Sequence, residues 1–223
     1  MASQIETELE KLKNAIIKIN NLAENQVFEA TGVLLSEPIS EKKEIKKIEN
    51  KIDKLDVKIE DICQGIFALQ QPVAKDLRLI MSAMQISTEA ERIGDLAMEI
   101  IKLSKKISKE TQLISKFNIF EIARTTESIT VKTNICFQTL NENIIQEIIV
   151  LKNNNKEKIE TAILNIIKEM QTNSEVVVSG TNLILILKHF ERISEHCTNI
   201  AESVYFMIHA KIIKHEKFPI QNS

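Results

Sequence analysis

Acidic side chains spaced four residues apart recur in two segments of this 223-residue chain, and the same residues surround them in both. Residues 91–95 read Glu-Arg-Ile-Gly-Asp and residues 191–195 read Glu-Arg-Ile-Ser-Glu, at an offset of 100. Residues four apart on a helix lie one turn apart on one face, so each segment aligns its carboxylates. Oxygen atoms from several such side chains can jointly hold a hard or intermediate cation. Without a cation, the stacked carboxylates repel one another.

The predicted metal ligands are the oxygen-bearing side chains of these two stripes and two acids from an earlier helix. They are Glu91, Asp95, Glu99, Glu49 and Asp53 in the first half, and Glu191, Glu195, Asn199 and Glu202 in the second half. The earlier helix continues its acidic line with Asp56 and Glu60, and we expect it to lie beside the first stripe. The ordinary alternative is a solvated helix face, on which Arg92 and Arg192 neutralise their neighbours without any metal.

The remaining metal-binding residue types do not form a second pattern. Cys63, Cys136 and Cys197 lie far apart without a Cys-x-x-Cys pair, so we expect small buried hydrophobic residues in a reducing compartment. His196 follows Glu195 directly and is a possible ligand, but we expect a surface or interface histidine.

The composition predicts a helical protein. Apolar residues make up 43% of the chain, which has only 4 glycines and 3 prolines, and few turn-forming residues imply long helices. The net charge of -2 and the lack of a basic arm argue against nucleic-acid binding. The polar N-terminus predicts no secretory signal, and the longest apolar stretch is shorter than the roughly 20 residues of a membrane span.

Apolar periodicity predicts three helices in the first half. Residues 5–30 carry a stripe at steps of three and four, and residues 36–38 (Ser-Glu-Pro) interrupt it. A heptad stripe over residues 45–69 predicts the second helix. Pro72 should end it and occupy the first turn of a third helix, which runs to about Ser108.

The second half repeats this plan. The stripes predict a fourth helix over residues 117–151, a turn at residues 153–155 (Asn-Asn-Asn) and a fifth helix over residues 159–170. A sixth should begin at an N-cap on Ser174 and run to about His215. The predicted fold is therefore all-α, with six helices in two tandem antiparallel three-helix bundles that arose by internal duplication. The predicted domains are residues 1–108 and 109–223.

At these motifs the chain resembles the PhoU family, whose pattern is a duplicated Glu-Arg-Ile-Gly-Asp followed by a small residue and Asn-Ile-Ala. Residues 91–95 match the first copy, and residues 193–202 (Ile-Ser-Glu-His-Cys-Thr-Asn-Ile-Ala-Glu) resemble the second. Residues 68–78 (Ala-Leu-Gln-Gln-Pro-Val-Ala-Lys-Asp-Leu-Arg) resemble the family's segment before its third helix, and residues 52–55 (Ile-Asp-Lys-Leu) resemble its second helix.

The chain departs from the family pattern at several positions. Ser194 replaces the glycine of the second copy, Glu195 replaces its aspartate, and Glu99 replaces the asparagine of the first copy. Residues 153–156 lack the carboxylates that the family usually carries there.

The resemblance implies a non-enzymatic negative regulator of phosphate uptake and phosphate-starvation signalling. It implies a cytoplasmic homodimer that links the ATPase of a phosphate ABC transporter to a sensor histidine kinase and reaches the membrane only through these partners. It also implies multinuclear metal clusters on the acidic motifs, of iron or zinc, with magnesium, manganese or calcium as alternatives.

The residues themselves argue against an enzyme. A di-metal oxidase would need Glu-x-x-His steps on paired helices, and no Glu of this chain has His three residues later. No Gly-x-x-x-x-Gly-Lys nucleotide loop occurs either. The alternative that stays open is a metal-free helical adaptor whose acidic stripes bind basic partner proteins directly.

Overall fold

The computed structural model describes residues 4–36, 42–107 and 111–213, and this part of the chain is helical without any strand. Six long helices account for most of it, as predicted, and a short one is added between the halves. The helices are α1 (Gln4–Leu35), α2 (Lys42–Leu69), α3 (Ala74–Ser104), the short α4 (Thr111–Lys116), α5 (Ile119–Thr139), α6 (Glu142–Thr172) and α7 (Val177–His209). A single 3₁₀ turn (Ser174–Val176) precedes α7.

The long helices form two tandem three-helix bundles, which confirms the predicted fold class. Helices α1, α2 and α3 pack together in the first bundle, and α5, α6 and α7 pack together in the second. The bundles meet where α3 lies on α7 and α1 lies on α5. The predicted domain boundary between residues 108 and 109 lies outside the described residues.

One continuous hydrophobic core runs through both bundles. The heptad stripe of α2 contributes Ile45, Ile52, Ile59 and Ile66, which are all buried at a spacing of seven. This spacing keeps one seam of the helix against its neighbours along its whole length. In the described part of the chain, none of the helices is both long enough and apolar enough to span a membrane.

Gly94 allows α2 to approach α3 closely beside the first acidic stripe. A Cβ atom on Gly94 would lie 2.9 Å from Cδ1 of Ile52, a side chain that is fully buried. The absence of a side chain at Gly94 therefore sets the spacing between the two helices, and with it the distance between their acidic side chains.

The prediction for the fourth helix was wrong. It ends at Thr139 rather than at 151, and the chain turns at Leu140 and Asn141, while residues 153–155 lie inside α6. Leu140 has a left-handed φ of 51°, and the Asn141 side chain caps α6 by accepting a hydrogen bond from the backbone N–H of Asn143 at 3.0 Å. The apolar side chain of Leu140 matched the helical stripe and concealed the turn, although Asn141 was a recognisable N-cap residue.

The other predicted helix ends shifted by a few residues. Pro72 lies in neither helix, because α2 ends at Leu69 and α3 begins at Ala74. Asn173, rather than Ser174, provides the cap before α7, since its side chain accepts from the backbone N–H of Glu175 at 3.1 Å. Helix α3 ends at Ser104 and α7 at His209, and His215 lies outside the described residues.

The contacts of Asn155 allow a test of whether residues 153–155 lie inside α6. It is buried, and its amide donates to the Ile122 carbonyl at 3.3 Å and to Thr126 Oγ1 at 3.0 Å. Changing Asn155 to Ala should destabilise the protein by about 1–3 kcal/mol, because these buried hydrogen bonds are lost. Asn153→Ala, at an exposed site of the same helix, should stay within about 0.5 kcal/mol of the parent protein. Equal thermal midpoints for the two variants would contradict this placement.

Candidate metal centre

Helices α3 and α7, which carry the two motifs, cross in antiparallel orientation. Ser82 donates to the carbonyl of Ser203 at 3.3 Å, and further along α3 Glu89 pairs with His196 at 2.6 Å. The reverse order of these pairs places the crossing near Ile93 and Ile193, which are both buried. Because the two helices are equivalent at an offset of 100, the crossing is an approximate two-fold axis. Both motifs therefore lie at the centre of the molecule.

The first acidic face consists of Glu91 and Asp95 on α3 with Glu49, Asp53 and Asp56 on α2. Burial raises the pKa of Glu91, and repulsion from the carboxylates of Asp95, Asp56 and Asp53 raises it further. Helices α2 and α3 thus bring these four carboxylates close enough to interact. The predicted stripes from the two helices are placed side by side, as the sequence suggested.

Arg92 compensates for little of this negative charge. Its Nε lies 3.4 Å from Glu91 and its Nη1 lies 3.7 Å from Asp95, while its side chain is 57% exposed. Exposed ion pairs of this length contribute about 0–1 kcal/mol at most. The carboxylates of the first acidic face are therefore close together and weakly neutralised.

Asp56 was part of the predicted acidic line but not of the predicted ligand set. Its Oδ1 accepts a hydrogen bond of 2.7 Å from Ser87 Oγ on α3, which holds the carboxylate toward the helix that carries Glu91. Asp56 lies three residues after Asp53 and so shares its helix face, which was the signal for including it.

Glu49 and Glu99 lie at the far end of this face, around Lys102. The Lys102 ammonium bonds to Glu99 at 2.7 Å, and this bond, together with the carboxylates of Glu99, Glu49 and Asp95, raises the pKa of Lys102. Glu99 is thus neutralised within its own helix and is a weaker candidate ligand than Glu91 or Asp95.

The side chains of the second motif diverge. Glu191 pairs with Lys188 at 2.6 Å, and Asn199 donates to Glu89 of α3 at 3.1 Å. Glu202 lines a groove between α3 and α7 with Met81 and Gln85. Glu195 is exposed. Asn199 and Glu202 therefore face α3, and the structure does not gather the four predicted ligands around one point.

His196 belongs to the interface between the bundles, as expected. Its Nδ1 lies 2.6 Å from Glu89, and both side chains are less than 20% exposed. His189 is half-buried, and burial lowers its pKa despite the nearby carboxylate of Glu99. All three cysteines are buried and free, and burial raises the pKa of the Cys63 thiol to about 11 and of Cys136 to about 12. None of them is poised to act as a thiolate ligand.

The first acidic face fits a cation chemically, although its side chains stand apart. Within the described ranges, no three His, Cys, Asp or Glu side chains converge on one point where an ion could sit. A donor set made only of carboxylate oxygens suits Mg²⁺, Mn²⁺, Ca²⁺ or iron better than soft metals.

These features define a class of protein, namely a tandem pair of helical bundles that carries duplicated carboxylate motifs at a two-fold crossing. The family model described as the PhoU domain matches residues 16–104 and 119–204, and the chain belongs to the PhoU family. The two matched segments coincide with the two bundles.

Proteins of known sequence and structure resemble the chain over most of its length. It is 23% identical to a phosphate-specific transport system accessory protein PhoU homolog of Pseudomonas aeruginosa, with 96% of this chain and 89% of the relative covered. It is 26% identical to the homolog of Synechocystis sp., with 94% and 93% covered. The crystal structure of PhoU from Pseudomonas aeruginosa matches with a TM-score of 0.86 at 23% identity, with 93% of this chain and 100% of that chain covered. The phosphate transport system regulatory protein PhoU from Streptococcus pneumoniae matches with a TM-score of 0.81 at 21% identity, with 95% and 100% covered.

The repulsion around Glu91 predicts a pH-dependent stability. Because the pKa of Glu91 is raised in the folded protein, its contribution to stability is fully present below its unfolded pKa of about 4.3 and is lost as the pH rises through the folded value. At pH 7 and in the presence of a chelator, Glu91→Gln should therefore unfold at a higher temperature than the parent protein, and this difference should disappear near pH 4. Circular dichroism melting measures it, with Glu160→Gln on α6 as the control. A lower midpoint for Glu91→Gln at pH 7 would contradict the proposed repulsion.

Proposed function

We propose that the chain is a non-enzymatic negative regulator of phosphate uptake and of phosphate-starvation signalling. The observation that carries this proposal is the duplicated carboxylate motif, centred on a two-bundle helical scaffold that the chain shares with accessory and regulatory proteins of phosphate transport systems. A scaffold of long helices presents separate surfaces to different proteins, so it can regulate by binding rather than by catalysis.

The proposed partners are the ATPase of a phosphate ABC transporter and a sensor histidine kinase, and the proposed active form is a homodimer in the cytoplasm. Relatives named as accessory proteins of the phosphate-specific transport system support the first partner. The kinase and the homodimer rest on the family resemblance of the motifs. We propose no nucleic-acid partner, because the chain has a net charge of -2.

We further propose that the first acidic face binds metal. Glu91 and Asp95 on α3 and Asp53 and Glu49 on α2 would hold the ion or ions, and Asp56 would add a carboxylate beside them. A bound cation would supply the positive charge that Arg92 does not, so the carboxylates could remain ionised while close together. The ligands come from two helices, so the metal would also tie α2 to α3.

A metal-free adaptor is the second candidate, and the weak neutralisation of the first acidic face favours it as well. A cluster of carboxylates with a loosely held arginine, and with Lys102 only at its far end, would also attract a basic protein surface. The two candidates differ in what a chelator does. Removing metal should abolish partner binding in the first case and leave it unchanged in the second.

Replacing Glu91 and Asp95 together by Ala should reduce the bound metal to background and leave the helical content unchanged. Both side chains lie outside the core, at 24% and 47% exposure, so little packing is lost. Plasma mass spectrometry measures metal content after reconstitution. The matched control is Glu6→Ala with Glu10→Ala, an exposed pair with the same spacing on α1. Unchanged metal in the Glu91/Asp95 variant would show that the first acidic face is not the site.

Deleting the gene should derepress phosphate-uptake genes in phosphate-rich medium, and the parent gene should restore repression. The reason is that a negative regulator is needed only when phosphate is plentiful. Transcript levels of a phosphate transporter operon measure the effect. Low expression in the deletion strain would contradict the regulatory function. Complementation with the Glu91/Asp95 variant then tests whether regulation needs the first acidic face, since both candidates use its carboxylates. Partner binding with and without a chelator decides between the metal-bound regulator and the metal-free adaptor.

A further inference from the structure

We infer that this chain binds metal at its first acidic face only, and that its own lysines neutralise the equivalent second face. This inference rests on the proposed metal role of the first face. The second face is formed by Glu191 and Glu195 on α7 and by the side of α6 that corresponds to the acidic line of α2.

The structure fixes which residues of α6 correspond to those of α2. Buried isoleucines recur at an offset of 100, at 45 and 145, at 59 and 159, and at 66 and 166. The packing repeats as well. The close approach of α2 to α3 occurs where Gly94 faces Ile52, and that of α6 to α7 occurs where Gly180 faces Ile166 and Met170. In antiparallel helices the numbers of facing residues add to a constant, and Gly94 with Ile52 gives the same total as Gly180 with Ile166 after 100 is subtracted from each second-half number. The two helix pairs therefore share one register, and the offset can be read position by position.

At this register, none of the three α2 acids of the first acidic face is retained in α6. Ile149 stands at the position of Glu49, Asn153 at that of Asp53, and Lys156 at that of Asp56. An apolar, a neutral and a basic residue thus replace three carboxylates. Glu160 is retained at the position of Glu60, which lies on the acidic line beyond the first acidic face. Other acids of α6 pair elsewhere, as shown by Glu169 with Lys116 at 2.6 Å and Glu142 with His209 at 2.7 Å.

Helix α7 carries a lysine beside its motif glutamate at a position where α3 has none, whereas the lysine of α3, Lys102, lies at the Glu99 end of the first face. Lys188 holds Glu191 at 2.6 Å, where the Glu191 side chain is only 12% exposed. The equivalent position in the first half is Thr88, whose hydroxyl donates to the Met84 carbonyl and leaves Glu91 without such a partner. The Glu191–Lys188 contact of 2.6 Å is shorter than the 3.4 Å contact of Glu91 with Arg92, although Lys188 is 51% exposed and Arg92 57% exposed.

Nearby positive charges would repel a cation at the second face. It would have to displace Lys188 from Glu191 and sit near the positive charge of Lys156, with two carboxylates available instead of five. Asn199 and Glu202, the other predicted ligands, face α3 instead. The second face is therefore a surface whose charge does not depend on metal, and a partner that binds it would be insensitive to metal supply.

The experiment compares conservative double variants of the two faces in the full chain. Glu91→Gln with Asp95→Asn should reduce bound Zn²⁺ and bound iron, each reconstituted separately, to background. Glu191→Gln with Glu195→Gln should retain the parent metal content. The inference would be overturned if the Glu191/Glu195 variant lost metal, or if the Glu91/Asp95 variant kept part of the parent metal content. In both of these cases the parent protein still binds metal, so the proposed metal function would survive.

A reversal variant tests the physical reason. Changing Asn153 and Lys156 to Asp, together with Lys188→Thr, restores at the second face the charges of the first except that of Glu49, whose position Ile149 keeps. Metal content per chain should rise about twofold relative to the parent protein, with a native melting curve confirming the fold. No increase in a folded variant would show that the lysines are not what excludes metal. A parent protein that binds no metal at all would reject both this inference and the metal role on which it rests, while the gene-deletion test of phosphate regulation would still stand.

Discussion

The antiparallel packing of α3 on α7 is the constraint on which the rest of the structure depends. Ile93 and Ile193 are buried at the crossing, and each lies two residues from the glutamates at 91 and 191. A helix that buries position 93 must direct positions 91 and 95 to roughly its opposite side, since a separation of two residues is a rotation of about 200°. The hydrophobic contact between the bundles therefore decides that the carboxylates point away from the crossing instead of entering the core.

The interface between the bundles combines this apolar contact with a polar one. Glu89 on α3 accepts from Asn199 and pairs with His196, both on α7 and all partly shielded from solvent. Such polar pairs specify alignment more than they add stability, because their burial carries a desolvation cost. Side chains of the second motif thus serve to align the bundles, whereas the equivalent positions of the first motif are Leu96 and Glu99.

The two halves distribute electrostatic strain differently. The first face keeps carboxylates close together with weak compensation from Arg92, and their repulsion lowers the stability of the protein. At the second face, lysine and asparagine replace or neutralise the acids, which relieves that strain. Duplication therefore preserved the helical scaffold, which the apolar stripes maintain, while the charged surface of each half was free to change.

The sequence by itself determined the helical class, the duplication, the heptad seam of α2 and the acidic stripes, because all of these follow from spacing along single helices. It missed the turn at Leu140, where an apolar residue adopts a left-handed conformation that neither glycine nor proline announces. It also placed Asn199 and Glu202 with Glu191, because one-helix spacing cannot show which neighbour a side chain faces. Only the tertiary structure decided that Asn199 turns to Glu89, that Asp56 is held toward α3 by Ser87 and that Lys188 shields Glu191. Those contacts depend on how helices distant in sequence pack together and on the rotamers their side chains adopt, and no local pattern encodes that.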